Sequence, residues 1–119
     1  MTSNDNKGLR RLVNACRFSW QGLCATYQHE EAFRQEVWLL VVAVPLALWL
    51  GDNAIERVLL MGSVLLLLIV ELFNSAIEAV VDRISLEKHE LSGRAKDMGS
   101  AAVLLTSILV LLVWGFIVF

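Results

Sequence analysis

The chain has two cysteines and no metal-binding spacing to accompany them. Cys16 and Cys24 are eight residues apart, so they share a helical face but lie about 12 Å apart along the axis, too far for a disulfide within that helix. A redox pair and a zinc motif are both excluded, and small apolar packing is the expectation. Excess charge is also missing: 10 Lys and Arg against 12 Asp and Glu leave a net charge of −2, and nothing suggests nucleic acid as a partner. Neither a GxxxxGKS/T run nor a protein-kinase glycine-rich loop is present, so nucleotide binding cannot be read from a motif. Repeats and low-complexity tracts are absent, and Met1–Lys7 is the only disorder-prone piece. The N-terminus lacks the apolar core and small-residue cleavage site of a signal peptide, so the mature chain is expected to begin where the sequence does. The one proline, Pro45, falls inside an apolar run, where a mild kink is expected.

Apolar residues are abundant. They make up 57% of the 119 residues, with a mean hydropathy of +0.64, against roughly 45–50% in soluble domains. The expectation is a single all-α integral membrane domain over 1–119. Between Gly8 and Gln28, Leu9, Leu12, Val13, Cys16, Trp20, Leu23, Cys24 and Tyr27 fall within roughly 120° of helix circumference, opposite Arg10, Arg11, Asn14, Arg17 and Gln21. That pattern predicts an amphipathic helix over 8–28, lying in the headgroup layer. Three apolar stretches follow, at 32–50, 57–81 and 98–119, each suited to a transmembrane helix of about 20 residues. Phe33, Arg34 and Gln35 are expected at the first interface, with Trp38, Trp49 and Trp114 near span ends as aromatic anchors. Gly51-Asp52-Asn53 is the sharpest turn signal, and Asp52 or Asn53 is a candidate cap for the next helix. Of the basic residues only Arg57 lies at the far side of the first two spans. The positive-inside rule therefore puts the N-terminus and the 83–97 loop in the cytoplasm and the C-terminus outside.

The second span carries the decisive feature. Glu71, Asn74, Glu78 and Asp82, at i, i+3, i+7 and i+11, form one polar stripe on an otherwise Leu, Phe, Ile, Val and Ala helix. Measured from Arg57, Glu71 is about 21 Å along the helix and Glu78 about 31 Å, against a hydrocarbon thickness near 30 Å. A soluble helix with solvated acids and a membrane helix using Glu71 and Asn74 as interhelical glue are the bland alternatives. An ionisable group in a span costs roughly 2.5–3.5 kcal/mol on insertion scales and marks a functional site by default. Carboxylates beside a loop rich in Lys, Arg and His suit Mg²⁺ and phosphates, the parts that phosphoryl transfer needs. Lys96 precedes an expected helix start, where free N–H groups favour anions. His29 and His89 read as solvated residues rather than metal ligands. Three spans cannot shield the stripe on every side, so a homo-oligomer is expected.

The run from Glu71 to Arg83, the segment His89-Glu90-Leu91-Ser92-Gly93-Arg94-Ala95-Lys96-Asp97-Met98-Gly99-Ser100 and the segment Glu30-Glu31-Ala32-Phe33-Arg34-Gln35-Glu36 resemble the prokaryotic diacylglycerol kinase family over nearly the whole chain. Phe73, His29 and Phe18 depart from residues common there. The resemblance implies a homotrimer in the bacterial inner membrane with sites shared between protomers. It also implies transfer of a phosphoryl group from ATP to diacylglycerol, with the sister activity on undecaprenol as the alternative. From another class, a non-catalytic lipid-binding or proton-conducting oligomer would also use aligned intramembrane acids. By the same resemblance Glu71 is the proton acceptor, assisted by Asn74, and Glu30 and Glu78 bind Mg²⁺. ATP contacts correspond to Arg11, Phe18, Glu30, Glu78, Glu87, Lys88, His89, Lys96 and Asp97. Contacts to the lipid substrate correspond to Arg11, Trp20, Arg34, Glu71, Ser100 and Trp114.

Overall fold

A computed structural model describes residues 7–119, so all of Met1–Lys7 except Lys7 lies outside the described residues. The described chain is four helices: α1 (Gly8–His29), α2 (Glu31–Leu50), α3 (Ala54–Ile84) and α4 (Glu90–Val118). The expected all-α architecture is what forms, and α2, α3 and α4 are each long and apolar enough to cross a membrane. At 1.5 Å per residue the 31 residues of α3 span about 46 Å. It is the central helix, packed against α2 and α4 along its length and touching α1.

Local chemistry explains where the helices stop. Glu30 alone separates α1 from α2. Its backbone is extended (φ −116°, ψ 111°), its N–H still donates to Thr26 O at 2.8 Å, and its side chain makes no cap. The Arg34 guanidinium reaches back to donate to the carbonyls of Tyr27 (2.8 Å) and Gln28 (3.0 Å), closing the orphaned end of α1. Trp38 Nε1 donates to the Tyr27 hydroxyl at 3.2 Å. Of the three residues expected at a membrane interface, Phe33 is buried in the core and Arg34 also closes the end of α1. Of the two candidate caps in the second turn it is Asn53 that acts: its Oδ1 accepts from Glu56 N–H at 2.9 Å, while Glu56 Oε1 accepts from Asp52 N–H at 2.9 Å. Gly51 is required there, since a Cβ would lie 2.6 Å from Arg57 Cγ and 2.9 Å from Ala47 O.

The interior is one stripe of α3. Leu60, Ser63, Val64, Leu67 and Leu68 are buried, spaced three and four apart, against Phe33, Ala43 and Ala47 of α2 and Gly99 and Thr106 of α4. Hydroxyls are satisfied within their own helices, Ser63 on Leu60 O (3.1 Å), Thr106 on Ala102 O (2.7 Å) and Ser107 on Val103 O (2.9 Å). That internal satisfaction is what a hydrocarbon environment demands. Outside the stripe large apolar side chains face outward, among them Trp49, Leu111 and Phe116. Cys16 and Cys24 are free thiols.

Trp114 makes one of the long-range bonds between α3 and α4. Its Nε1 donates to Leu60 O at 3.1 Å, on a carbonyl that Ser63 also uses. Trp114→Phe keeps the ring and removes the donor, so it should lower stability by about 0.5–1.5 kcal/mol in reversible unfolding in micelles. A raised KM for lipid with unchanged stability would assign Trp114 to the lipid instead.

Candidate functional site

The stripe that packs α3 continues into the stripe that carries its acids. Leu60, Val64, Leu67, Glu71, Asn74 and Glu78 follow one another at steps of four, three, four, three and four residues, so the polar groups project the same way as the core. Glu71 is buried at 6% exposure, and Asn74 and Glu78 are half-buried. From α2 the Glu36 carboxyl reaches the Glu71 carboxyl, and its Oε2 is enclosed without a hydrogen-bond partner. Asn74 Oδ1 is likewise enclosed, against Gly99 of α4. Asp82, one turn beyond Glu78, holds Lys96 Nζ at 2.7 Å, and Lys96 also feels the charge of Glu78. This pair is half-exposed and ties the end of α3 to the start of α4.

Beyond Asp82 the chain opens a cleft of about 490 Å³. Glu87, Lys88, His89 and Lys96 all line it, together with Asp82 and the first turn of α4. Its volume falls within the range of roughly 300–1,000 Å³ usual for small-molecule sites. His89 caps α4, its Nδ1 accepting from Leu91 N–H at 3.1 Å, which leaves the proton of the neutral ring on Nε2. With this cap and an Arg94–Glu90 pair at 3.4 Å, α4 starts at Glu90. Lys96 is therefore in the second turn of a helix, not ahead of one as the sequence suggested. The free N–H groups that attract anions belong to the turn beside His89.

The other expected site residues are dispersed. Arg11 and Phe18 are exposed on α1, where the Arg17 guanidinium stacks 5.4 Å from the Phe18 ring centre. Trp20 lines an apolar cleft of about 590 Å³ between α1, α2 and α3, with Leu23, Tyr27, Phe33, Leu68 and Leu72. Arg34 is occupied by the end of α1, Trp114 by Leu60 O, and Asp97 and Ser100 are exposed on α4. Glu30 lines a groove with Leu72, Ser75, Ala76 and Ala79. On an ideal helix that face of α3 is turned roughly 100° from the face of Glu71, Asn74 and Glu78. Glu30 thus borders a face of α3 beside the one that carries Glu78, and no group of three or more potential metal-binding side chains occurs among the described residues.

Glu36 and Asp82 are site neighbours that the sequence reading left without a role. In the sequence Glu36 merely precedes the first long apolar run. With α2 beginning at Glu31 it falls in the second turn, on the side that meets α3.

Three membrane-length helices, a buried acid on the central one and a polar cleft that mixes Lys88 and Lys96 with Asp82, Glu87 and Glu90 are the features of a membrane protein with a polar site at one end of its bundle. Sequence comparison gives the particular family. The model described as Prokaryotic diacylglycerol kinase matches residues 17–118, and the chain belongs to that family. It is 55% identical over 112 residues to the diacylglycerol kinase of Escherichia coli strain K12, covering 94% of this chain and 92% of that one. It is 50% identical to the Haemophilus influenzae diacylglycerol kinase, covering 94% and 95% of the two chains. The Pseudomonas aeruginosa diacylglycerol kinase is also 50% identical, with coverage of 91% and 88%.

The two edges of His89 can be separated. His89→Ala removes the cap and should cost about 1 kcal/mol, whereas His89→Asn restores an N-cap acceptor and with it the stability. Both should raise the KM for ATP if Nε2–H contacts the nucleotide. Thermal unfolding and ATP saturation curves on the two variants read the roles independently.

Proposed function

We propose that the chain transfers the γ-phosphoryl group of ATP to the hydroxyl of diacylglycerol, producing phosphatidic acid and ADP at the cytoplasmic face of the bacterial inner membrane. Its membership of the family makes it a diacylglycerol kinase, a transferase of lipid metabolism with transmembrane helices. The observation that carries the mechanism is Glu71, buried on the core face of α3 and followed along that face by Asn74, Glu78 and the Asp82–Lys96 pair at the edge of the polar cleft. A lipid hydroxyl can reach that depth from the bilayer, and ATP can reach the cleft from water.

In this reading Glu71 accepts the hydroxyl proton as the lipid oxygen forms its bond to the γ-phosphorus and the bond to the β-phosphate oxygen breaks, with ADP leaving. Asn74 donates from its amide to an oxygen of the reacting groups. Lys88, His89, Lys96 and the first turn of α4 supply donors to the phosphates, supported by Arg11, Phe18, Glu87 and Asp97. The apolar cleft under Trp20 suits an acyl chain, with Arg11, Arg34 and Ser100 nearer the head of the lipid and Trp114, beside Leu60, nearer the ends of its chains.

The donors suit Mg²⁺, which takes hard carboxylate oxygens and leaves other positions to water and phosphates. Glu30 fits because its side chain is not spent on the helix cap it occupies. Glu30 and Glu78 would hold the ion, which neutralises charge on the β- and γ-oxygens when bound. Glu30 borders a different face of α3 from Glu78, which supports a pairing made between subunits. A homotrimer with shared sites provides such a pairing and also covers the outward apolar faces of α3 and α4. One domain spans 1–119, with a surface helix at 8–28 and membrane spans at 32–50, 57–81 and 98–119. The N-terminus lies in the cytoplasm and the C-terminus in the periplasm. Neither undecaprenol as acceptor nor a non-catalytic oligomer is favoured, since the relatives carry the name diacylglycerol kinase.

Two measurements test the reading. Glu71→Gln should assemble normally and lose on the order of 10²–10⁴ in turnover, the usual worth of a positioned base. Wild-type turnover with intact assembly excludes Glu71 as the base. Co-reconstituting Glu30→Ala with Glu71→Gln after subunit exchange should restore lipid phosphorylation toward the statistical fraction of intact sites. No recovery, with exchange demonstrated by cross-linking, would place each site within a single chain.

A further inference from the structure

Asn74 and Gly99 meet where α4 crosses the acid-bearing face of α3. Gly99 is buried, and a Cβ built on it would collide with Asn74 Oδ1 and lie 3.3 Å from Asn74 Cγ and 3.8 Å from Ile77 Cδ1. The amide oxygen therefore occupies the space a side chain at position 99 would take. It is enclosed there without a conventional hydrogen-bond partner. An oxygen facing a glycine Cα–H is a weakly favourable contact, whereas the reversed amide would press N–H against C–H, so the oxygen is the atom that belongs on this side. Asn74 as a whole is only half-buried. With its oxygen turned to α4, the accessible part of the amide is its pair of N–H donors, one turn from both Glu71 and Glu78.

We propose that Gly99 is a positioning residue for phosphoryl transfer: its missing side chain is what seats the Asn74 amide against α4 with its N–H donors directed to the reacting groups. The inference rests on the reading of Asn74 as a site residue. An added Cβ meets a neighbour within 4 Å only at Gly51, in the turn before α3, and at Gly99, where the closest atoms are those of the Asn74 amide. The group that must give way to a methyl at 99 is the end of the Asn74 side chain, not backbone. A substitution there should therefore disturb the site before it disturbs the fold.

The experiment is a double-mutant cycle on the full assembled protein in mixed micelles. It follows transfer of labelled phosphate from ATP to diacylglycerol for Gly99→Ala, Asn74→Ala and the double variant, with thermal unfolding of each. Gly99→Ala should lower kcat by on the order of 10²-fold, the usual consequence of a misplacement near 1 Å. KM for ATP and the unfolding midpoint should stay near wild type. The double variant should be no slower than Asn74→Ala alone, because residues acting through one another are not additive. If Gly99→Ala keeps wild-type kcat, or if the two losses multiply, Gly99 does not act through Asn74 and the proposal is overturned. Wild-type turnover in Asn74→Ala would instead remove Asn74 from the site, and the role of Gly99 with it. If Gly99→Ala fails to assemble, the double variant decides: assembly regained with the turnover of Asn74→Ala supports the contact, and continued failure overturns it.

Discussion

A carboxylic acid in a membrane span has to be turned inward, and on α3 the only inward face is the one that packs the protein. The rest of the structure follows from that coincidence. Leu60, Val64 and Leu67 bring α2 and α4 close at one end of the stripe, and the same two helices, continued, enclose Glu71, Asn74 and Glu78 at the other. Moving an acid to another face of α3 would put it among Leu65, Leu66 and Ile69, all of them outward-facing, where a charge costs several kcal/mol. Packing and chemistry cannot be optimised separately here. α2 contributes Phe33 to the core and Glu36 to the acid, and α4 contributes Thr106 to the core and Gly99 to the amide.

Much of this was legible because periodicity reports which way a side chain points. The amphipathic character of α1, the three long apolar helices and the alignment of Glu71, Asn74 and Glu78 all follow from residue type and spacing. What spacing does not report is which neighbour a side chain meets. Arg34 reads as an interfacial cation, yet it closes the end of α1 because a one-residue joint puts the Tyr27 and Gln28 carbonyls within its reach. His89 reads as a solvated residue and is exposed, but spacing does not show that it also starts α4, so that the helix begins eight residues before the apolar stretch that marks it in the sequence. Trp114 has the composition and place of an interfacial anchor, and only the approach of α4 to Leu60 turns its indole inward. Glu36 was hidden by the boundary itself: until α2 is known to begin at Glu31, nothing says that this acid faces α3 and not the headgroups.

The connections between helices are unequal. One residue joins α1 to α2, three join α2 to α3, and five join α3 to α4. The last, held by the Glu87 N–H donating to Ser85 Oγ and by the His89 cap, borders the polar cleft. The middle one is held by the Asn53 and Glu56 caps and by the tight fit of Gly51.

The one-residue joint leaves the chain no room to change length at that point. A residue inserted between Glu31 and Arg34 would carry everything after it through about 100° relative to α1. Arg34 would leave the carbonyls it closes, Trp38 would leave the Tyr27 hydroxyl, and either α2 would turn Glu36 away from Glu71 or α1 would lift from the bundle. A residue inserted among 85–89 would leave the packing of α2 on α3 in place but would shift Glu87, Lys88 and His89 in the cleft they line. Over evolutionary time the distance in sequence from Tyr27 to Trp38 should be among those least free to vary, because a change there uncouples the core and the acid at once.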